Sequence, residues 1–135
     1  MKTEDLLEQY GIGRRNFQNI KLYGSSISWY DLQAIDLSYA DLRLSSLEGI
    51  NLIAAYLVET NFSRVDLSLA NLYHANLCGA NLSFADLRGA DLTHANLFEA
   101  NLRYASLTGA NLSGAIMPDG TVMPEGMLLR RGEVL

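Results

Sequence analysis

The sequence predicts an all-β solenoid, a chain wound into stacked coils around an apolar interior. Three observations predict it. The residues at 17, 22, 27 and every fifth position to 112 are all apolar: seventeen Leu, with Phe17, Ile27 and Phe62 at the other three. Two residues before each centre stands Ala at every step from Ala70 to Ala115, and one residue before each centre, from Asn16 to Asn111, stand nine Asn and six Asp. A period of five, finally, suits neither ordinary element. On a helix, five residues advance about 500°, so successive Leu drift by ~140° and form no stripe. On a straight strand, successive Leu point to opposite faces.

The pattern closes when Ala and Leu, two apart, both point inward from a short extended stretch and the chain turns a corner before repeating. Stacked coils then pair their backbones at ~4.8 Å, each covering the interior of the next.

The elements follow in order. Residues 1–14 are expected to form a helical cap, with Thr3 as its N-cap, Glu4 and Asp5 in the first turn, Leu6, Leu7 and Tyr10 on one side, and Gly11 as the stop. Such a lid is needed because the first coil would otherwise expose an open edge and apolar interior. Residues 15–115 form the repeat itself. Leu fills the interior, worth about 1.5–3 kcal/mol for each side chain buried. Ala is small because little room is left, so Ala90→Leu should overpack. Asn and Asp, beside the turn, should bond nearby backbone as Asx motifs. The early units place Tyr30, Ile35, Ile50 and Val65 in the small slot and Tyr56 in the Asn/Asp slot, which predicts wider or distorted first coils. Residues 116–135 break the repeat with two Pro-acid-Gly turns, although Met117, Val122 and Met127 keep the apolar phase. A partial coil and irregular cap are expected there. Leu128, Leu129, Val134 and Leu135 either complete it or form a dimer contact.

The Ala-(Asn/Asp)-Leu-x-x run of positions 70–114, as in ANLCGANLSFADLRGADLTHANLFEANL (residues 75–102), resembles the pentapeptide-repeat family. The resemblance spans roughly residues 15–115. It implies a right-handed quadrilateral β-helix with four pentapeptides per coil, hence about five coils here. Compact chains of this type occur in bacteria, photosynthetic ones especially.

Composition limits function. The net charge of −5 and pI near 4.8 argue against direct nucleic-acid binding. Cys78 is alone, so no internal disulfide is expected and a cytoplasmic location is the default. The acidic N-terminal stretch does not read as a signal peptide, and no apolar run is long enough to span a membrane. No phosphate loop, serine-nucleophile motif or carboxylate pair appears, so neither an enzyme nor a cofactor is expected.

Outward positions must therefore carry function. Residues twenty apart should stack, which places Leu44, Arg64, Phe84 and Tyr104 in one column, a candidate interaction surface for a protein partner. The alternative is that the column only packs along a sheet face. His74 and His94 should lie about 5 Å apart on one face. They are a weak candidate pair, since zinc takes three or four ligands and their column otherwise holds Ala34, Ala54 and Gly114. Cys78 lies on the next side with no orienting group for catalysis. Trp29, stacked near Gly49 and Leu69, is expected to cover the early coils.

The leading expectation is a non-enzymatic structural or protein-interaction module, monomeric or weakly dimeric through its C-terminal tail. The family resemblance supplies the alternative, a DNA-mimicking modulator of a type II topoisomerase such as gyrase. Members of that subgroup are longer, dimerise through a C-terminal helical extension and present an acidic surface. Here the tail has Pro and Gly turns, Asn outnumbers Asp, and Arg43, Arg64, Arg88 and Arg103 offset acidity.

Overall fold

The computed structural model describes residues 1–131 and 133. After one helix, α1 (Thr3–Gly11), the backbone from Asn16 to Ile116 pairs with itself in parallel at a constant offset of twenty residues. Asn16 pairs with Asp36, Asp36 with Tyr56, Tyr56 with Asn76, and so on around every column. Four five-residue units therefore complete one circuit, and the body is a β-solenoid.

All but two units turn the corner with the same bond. The N–H three residues after a centre donates to that centre's carbonyl, as from Ala75 to Leu72 and from Ala90 to Leu87, at 3.0 and 3.1 Å; the units centred on Phe17 and Ile27 lack it. The residue two past each centre has positive φ at every step, six times Gly and otherwise residues as large as Trp29 and Tyr104. A four-residue turn with positive φ at its third position has the type II signature. Every Asn and Asp of the repeat column accepts, through its side-chain oxygen, the N–H of the residue two ahead, from Asn16 with Gln18 to Asn111 with Ser113. That bond, 2.9–3.3 Å long, is the expected Asx motif. It satisfies an amide that enters the turn with no ladder partner.

Strand pairing is consequently short. On each side the Asn/Asp residue pairs, the next residue points inward, and the turn begins. The Leu72 N–H donates to the Asp91 carbonyl of the following coil at 2.7 Å, and the Asp91 N–H donates back to Ala70 at 2.9 Å. Inside, nearly every centre and Ala of the repeat is buried. Two polar slots close their hydrogen bonds locally: Thr60 Oγ1 donates to the Leu37 carbonyl and Ser45 Oγ to that of Leu22.

The early coils keep the ladder but not every corner: the Ile20 and Tyr30 N–H groups make no bond to the Phe17 and Ile27 carbonyls, the bond that closes all the other units. Phe17 and Leu22 make the same ladder bonds, at 2.8 Å, as units further along. Ile35, Ile50 and Val65 are fully buried, whereas Tyr30 stays exposed and loads no interior slot. Each of the first two circuits thus adds little bulk, and it does so at the end closed by Leu6 of α1, itself fully buried.

Two expectations at the ends need correction. Thr3 is the first residue of α1, not its cap. Lys2 holds the N-cap position with no side-chain bond, and the acidic first turn of Glu4 and Asp5 is left to favour the helix start. The helix lies on the solenoid through Leu6, Leu7 and Tyr10, and Tyr10 Oη donates to the Gln33 carbonyl at 2.8 Å. At the other end, Val122 does not keep the apolar phase and is exposed. The Pro118–Gly120 turn reverses the chain, so Ile116 pairs with Val122 and Asn111 with Leu128 in antiparallel sense. Met117 and Leu129 are buried, with Met123 and Met127 packed beside them, and Leu112 and Met123 bond the returning and last-coil backbones. The tail thereby covers part of the final edge. Val134 and Leu135 lie outside the described residues.

Candidate interaction surface

The type II turns aim the residue at their third position outward, and the twenty-residue register stacks those residues coil upon coil. In the predicted column, Phe84 and Tyr104 lie nearly parallel with ring centroids 4.9 Å apart and planes 19° apart. The Arg64 guanidinium sits over the Phe84 ring at 4.4 Å. Leu44 precedes Arg64 in the same register, and Leu44, Phe84 and Tyr104 are all exposed.

The neighbouring column adds residues that the sequence reading did not include. Arg103 lies 5.8 Å from the Tyr104 centroid, and Arg43 lies 5.4 Å from that of Tyr23. The missed signal was present, because Tyr23, Arg43 and Arg103 also sit at multiples of twenty, one residue before the predicted column.

Dividing the charges by side is more informative than their sum. In coil residues 16–115, the side formed by residues 21–24, 41–44, 61–64, 81–84 and 101–104 holds Lys21, Arg43, Arg64 and Arg103 against Asp41 alone. The other three sides together hold Arg88 against eight acids. The arginines do not neutralise the sides evenly; most share one face with the aromatic column. Asp41 is clamped by Arg43, at 2.9 and 2.8 Å, and Asp86 by Arg88 in the same fork. These charge-assisted bonds hold both carboxyls below the ordinary aspartate range. Burial pushes Asp36 up, but donation from Gln18 and Ser38 outweighs it and leaves that carboxyl low as well. Among the described residues, Arg64 and Arg103 have no carboxylate at salt-bridge distance.

His74 and His94 stack with centroids 5.1 Å apart and planes 27° apart. Tyr73 packs edge-on to both. One acid does reach this column, contrary to the sequence reading: the tail turn brings Glu125 Oε1 to 3.5 Å from His94 Nε2. Two imidazoles and one distant carboxylate make a stacked surface pair, and among the described residues no group of three or more ligating side chains could hold a metal ion. Cys78 is half-buried on the adjoining side, its N–H bonded to Asn76 Oδ1. Trp29 lies flat on Gly49, where a Cβ would meet the indole at 2.1 Å, so the ring covers that coil as expected. An open cleft of about 590 Å³ lies at the C-terminal end, lined by Leu102, Arg103, Met117, Asp119 and Met123 among others. Among the described residues, no helix is long and apolar enough to cross a membrane.

A solenoid of five-residue turns with an Asx bond at most of its corners defines a class of protein, and comparison with known proteins agrees. The family model for pentapeptide repeats matches residues 45–83 and 80–117, in eight copies. The chain belongs to the pentapeptide-repeat family. It is similar to a pentapeptide repeat protein of the Arabidopsis thaliana thylakoid lumen, at 25% identity over 81% of this chain and 73% of that one, with a TM-score of 0.71. A pentapeptide repeat protein from Nostoc Pcc 7120 is 36% identical over 93% of this chain and 88% of its own, with a TM-score of 0.53. QnrB1, a plasmid-mediated fluoroquinolone resistance protein, is 24% identical over 77% of this chain and 66% of its own, with a TM-score of 0.41. No curated protein sequence matches the chain significantly.

Proposed function

We propose that this chain is a non-enzymatic protein-interaction module acting in the cytoplasm, a right-handed quadrilateral β-helix of about five coils with α1 as its N-terminal lid. The twenty-residue register over residues 16–116 supports that count, and the handedness follows the family resemblance. One observation carries the functional reading: the exposed stack of Arg64, Phe84 and Tyr104 on a face that the fold itself does not cover. Stacked aromatics beside arginine are the residue types that anchor protein interfaces. The buried interior leaves no comparable site along the coils, because its side chains fill it.

Topoisomerase modulation by DNA mimicry calls for an acidic contact surface; the coil acids lie mostly on the other three sides and the face bearing the aromatic stack is basic, so mimicry would use a different face from the one proposed. The test is a pull-down from native extract with the wild-type chain and a Phe84→Glu, Tyr104→Glu variant shown to keep its circular dichroism and urea midpoint. A protein retained by wild type and lost from the variant is the expected result. Unchanged retention assigns the interface to another face and overturns this reading.

A further inference from the structure

On the reading that this face is an interaction surface, we infer that its occupant is an acidic segment of another protein, lying along the column from Lys21 to Arg103. The argument begins with charge. A chain of net charge −5 places four of the five coil bases on one side, with a single acid, Asp41, which Arg43 already neutralises. The remaining sides carry the acid excess. Such separation presents a local positive field to a partner while the rest of the surface repels other acidic contacts.

The geometry of the rings selects carboxylates over nucleobases. Phe84 has Tyr104 stacked on it and Arg64 over its ring, so its faces are used within the column, whereas Tyr104, 72% exposed at the column's end, has Phe84 on one face and Arg103 5.8 Å from its centroid. A partner at Phe84 therefore meets ring edge and guanidinium. Aromatic edges are electropositive, and arginine forks match carboxylates in bidentate geometry. A single-stranded nucleic acid would instead need open ring faces for base stacking.

The spacing also suits a peptide. Five coils at ~4.8 Å put Lys21 and Arg103 about 19 Å apart along the axis, the length of about six extended residues. Tyr23, Leu44, Phe84 and Tyr104 lie along that path and give the segment apolar contacts between its charges.

The probe is a fluorescently labelled random copolymer of glutamate and tyrosine, titrated with the full chain by anisotropy. Poly-lysine and an oligothymidylate serve as comparisons. The copolymer is expected to bind in low salt and to weaken as salt shortens the screening length. Arg64→Glu with Arg103→Glu is expected to weaken binding by about tenfold or more, and Arg64→Gln with Arg103→Gln by less. Glu48→Lys on another side leaves it within about twofold. Copolymer binding that is absent, or indifferent to both arginine pairs, overturns the acidic partner. So does tighter binding of the oligothymidylate, which makes the occupant a nucleic acid. These outcomes are separable from failure of the interface reading itself: if the Phe84→Glu, Tyr104→Glu variant loses its native partner while the copolymer fails, the face binds a partner that is not acidic. If neither is affected, the face is not an interface.

Discussion

Replacing Ala90 by Leu tests whether the interior is filled. Ala90 is 1% exposed, between Ala70 and Ala110 in its column and beside the fully buried Leu87 and Leu92. Its N–H donates to Leu87 at 3.1 Å and its carbonyl accepts from Asn111 at 3.0 Å, so the backbone is held on both sides and cannot drift outward without losing ladder bonds. The described clefts are lined by residues from Ala100 onward and offer Ala90 no space. Three added carbons must therefore push neighbouring Leu off their rotamers or spread the coils, which costs about 1–3 kcal/mol. Taking ~2 kcal/mol and a urea slope of ~1.5 kcal/mol/M, the unfolding midpoint falls by about 1.3 M. Ile50→Leu, in the same column, conserves volume and should cost less than about 1.5 kcal/mol. The assay is urea unfolding followed by circular dichroism for both variants. An Ala90→Leu midpoint within about 0.3 M of wild type, or one above that of Ile50→Leu, refutes a close-packed interior.

Three further outcomes are expected. Asn81→Ala removes the acceptor of Ser83 N–H and Ser83 Oγ, at 3.0 and 2.7 Å, and should lower stability by about 1 kcal/mol in urea unfolding; an unchanged midpoint would mean that water replaces the Asx bond at no cost. Ala54 holds φ of 56°, where an L-residue is strained by about 1–2 kcal/mol, so Ala54→Gly should be neutral or stabilising by up to ~1 kcal/mol even after the extra chain entropy of Gly, and a loss of stability would show that the turn exerts no strain there. Asp41 and Asp86 have folded pKa values held below the unfolded value near ~3.9, so their contribution is fully present above that pH and disappears as pH falls through the lowered folded values. Asp41→Asn with Asp86→Asn should flatten the acid limb of stability against pH, and an identical limb in the variant would assign acid sensitivity to other groups.

The coil body was legible because its period is a geometric statement. Five residues per unit excludes both a helical stripe and a straight strand, and the Leu and Ala columns name their own direction. The Asx bonds were legible for a similar reason, since a short carboxylate or amide beside a turn has few other partners. The errors came where one local signal stood alone. Thr3 resembles an N-cap, but the chain enters α1 one residue earlier with Lys2 extended at φ −87° and ψ 154°, and packing of Leu6 into the open coil decides where the helix lies. Val122 keeps the five-residue phase only on paper. A phase has meaning while the chain advances along the coil, and the Pro118–Gly120 turn sends it backward.

Long-range placement separated the readable part of the surface from the rest. Once the circuit is known to be twenty residues, residue number modulo twenty assigns every repeat side chain to a column, and the Phe84–Tyr104 and His74–His94 stacks follow by arithmetic. Glu125 escapes that arithmetic because it belongs to the reversed tail, whose antiparallel pairing with the last coil brings it beside His94. The basic face escapes a total charge for a different reason. Net charge sums over directions, while a partner meets one direction at a time, so a chain of −5 can still offer a positive side. Arg43 and Arg88 make the same fork with an aspartate two residues back, yet they stand on different sides, and only Arg43 has Tyr23 and Leu44 in reach of a common partner. In a prism with filled walls, what a residue contributes to binding is set by the side it occupies and by the coils above and below it.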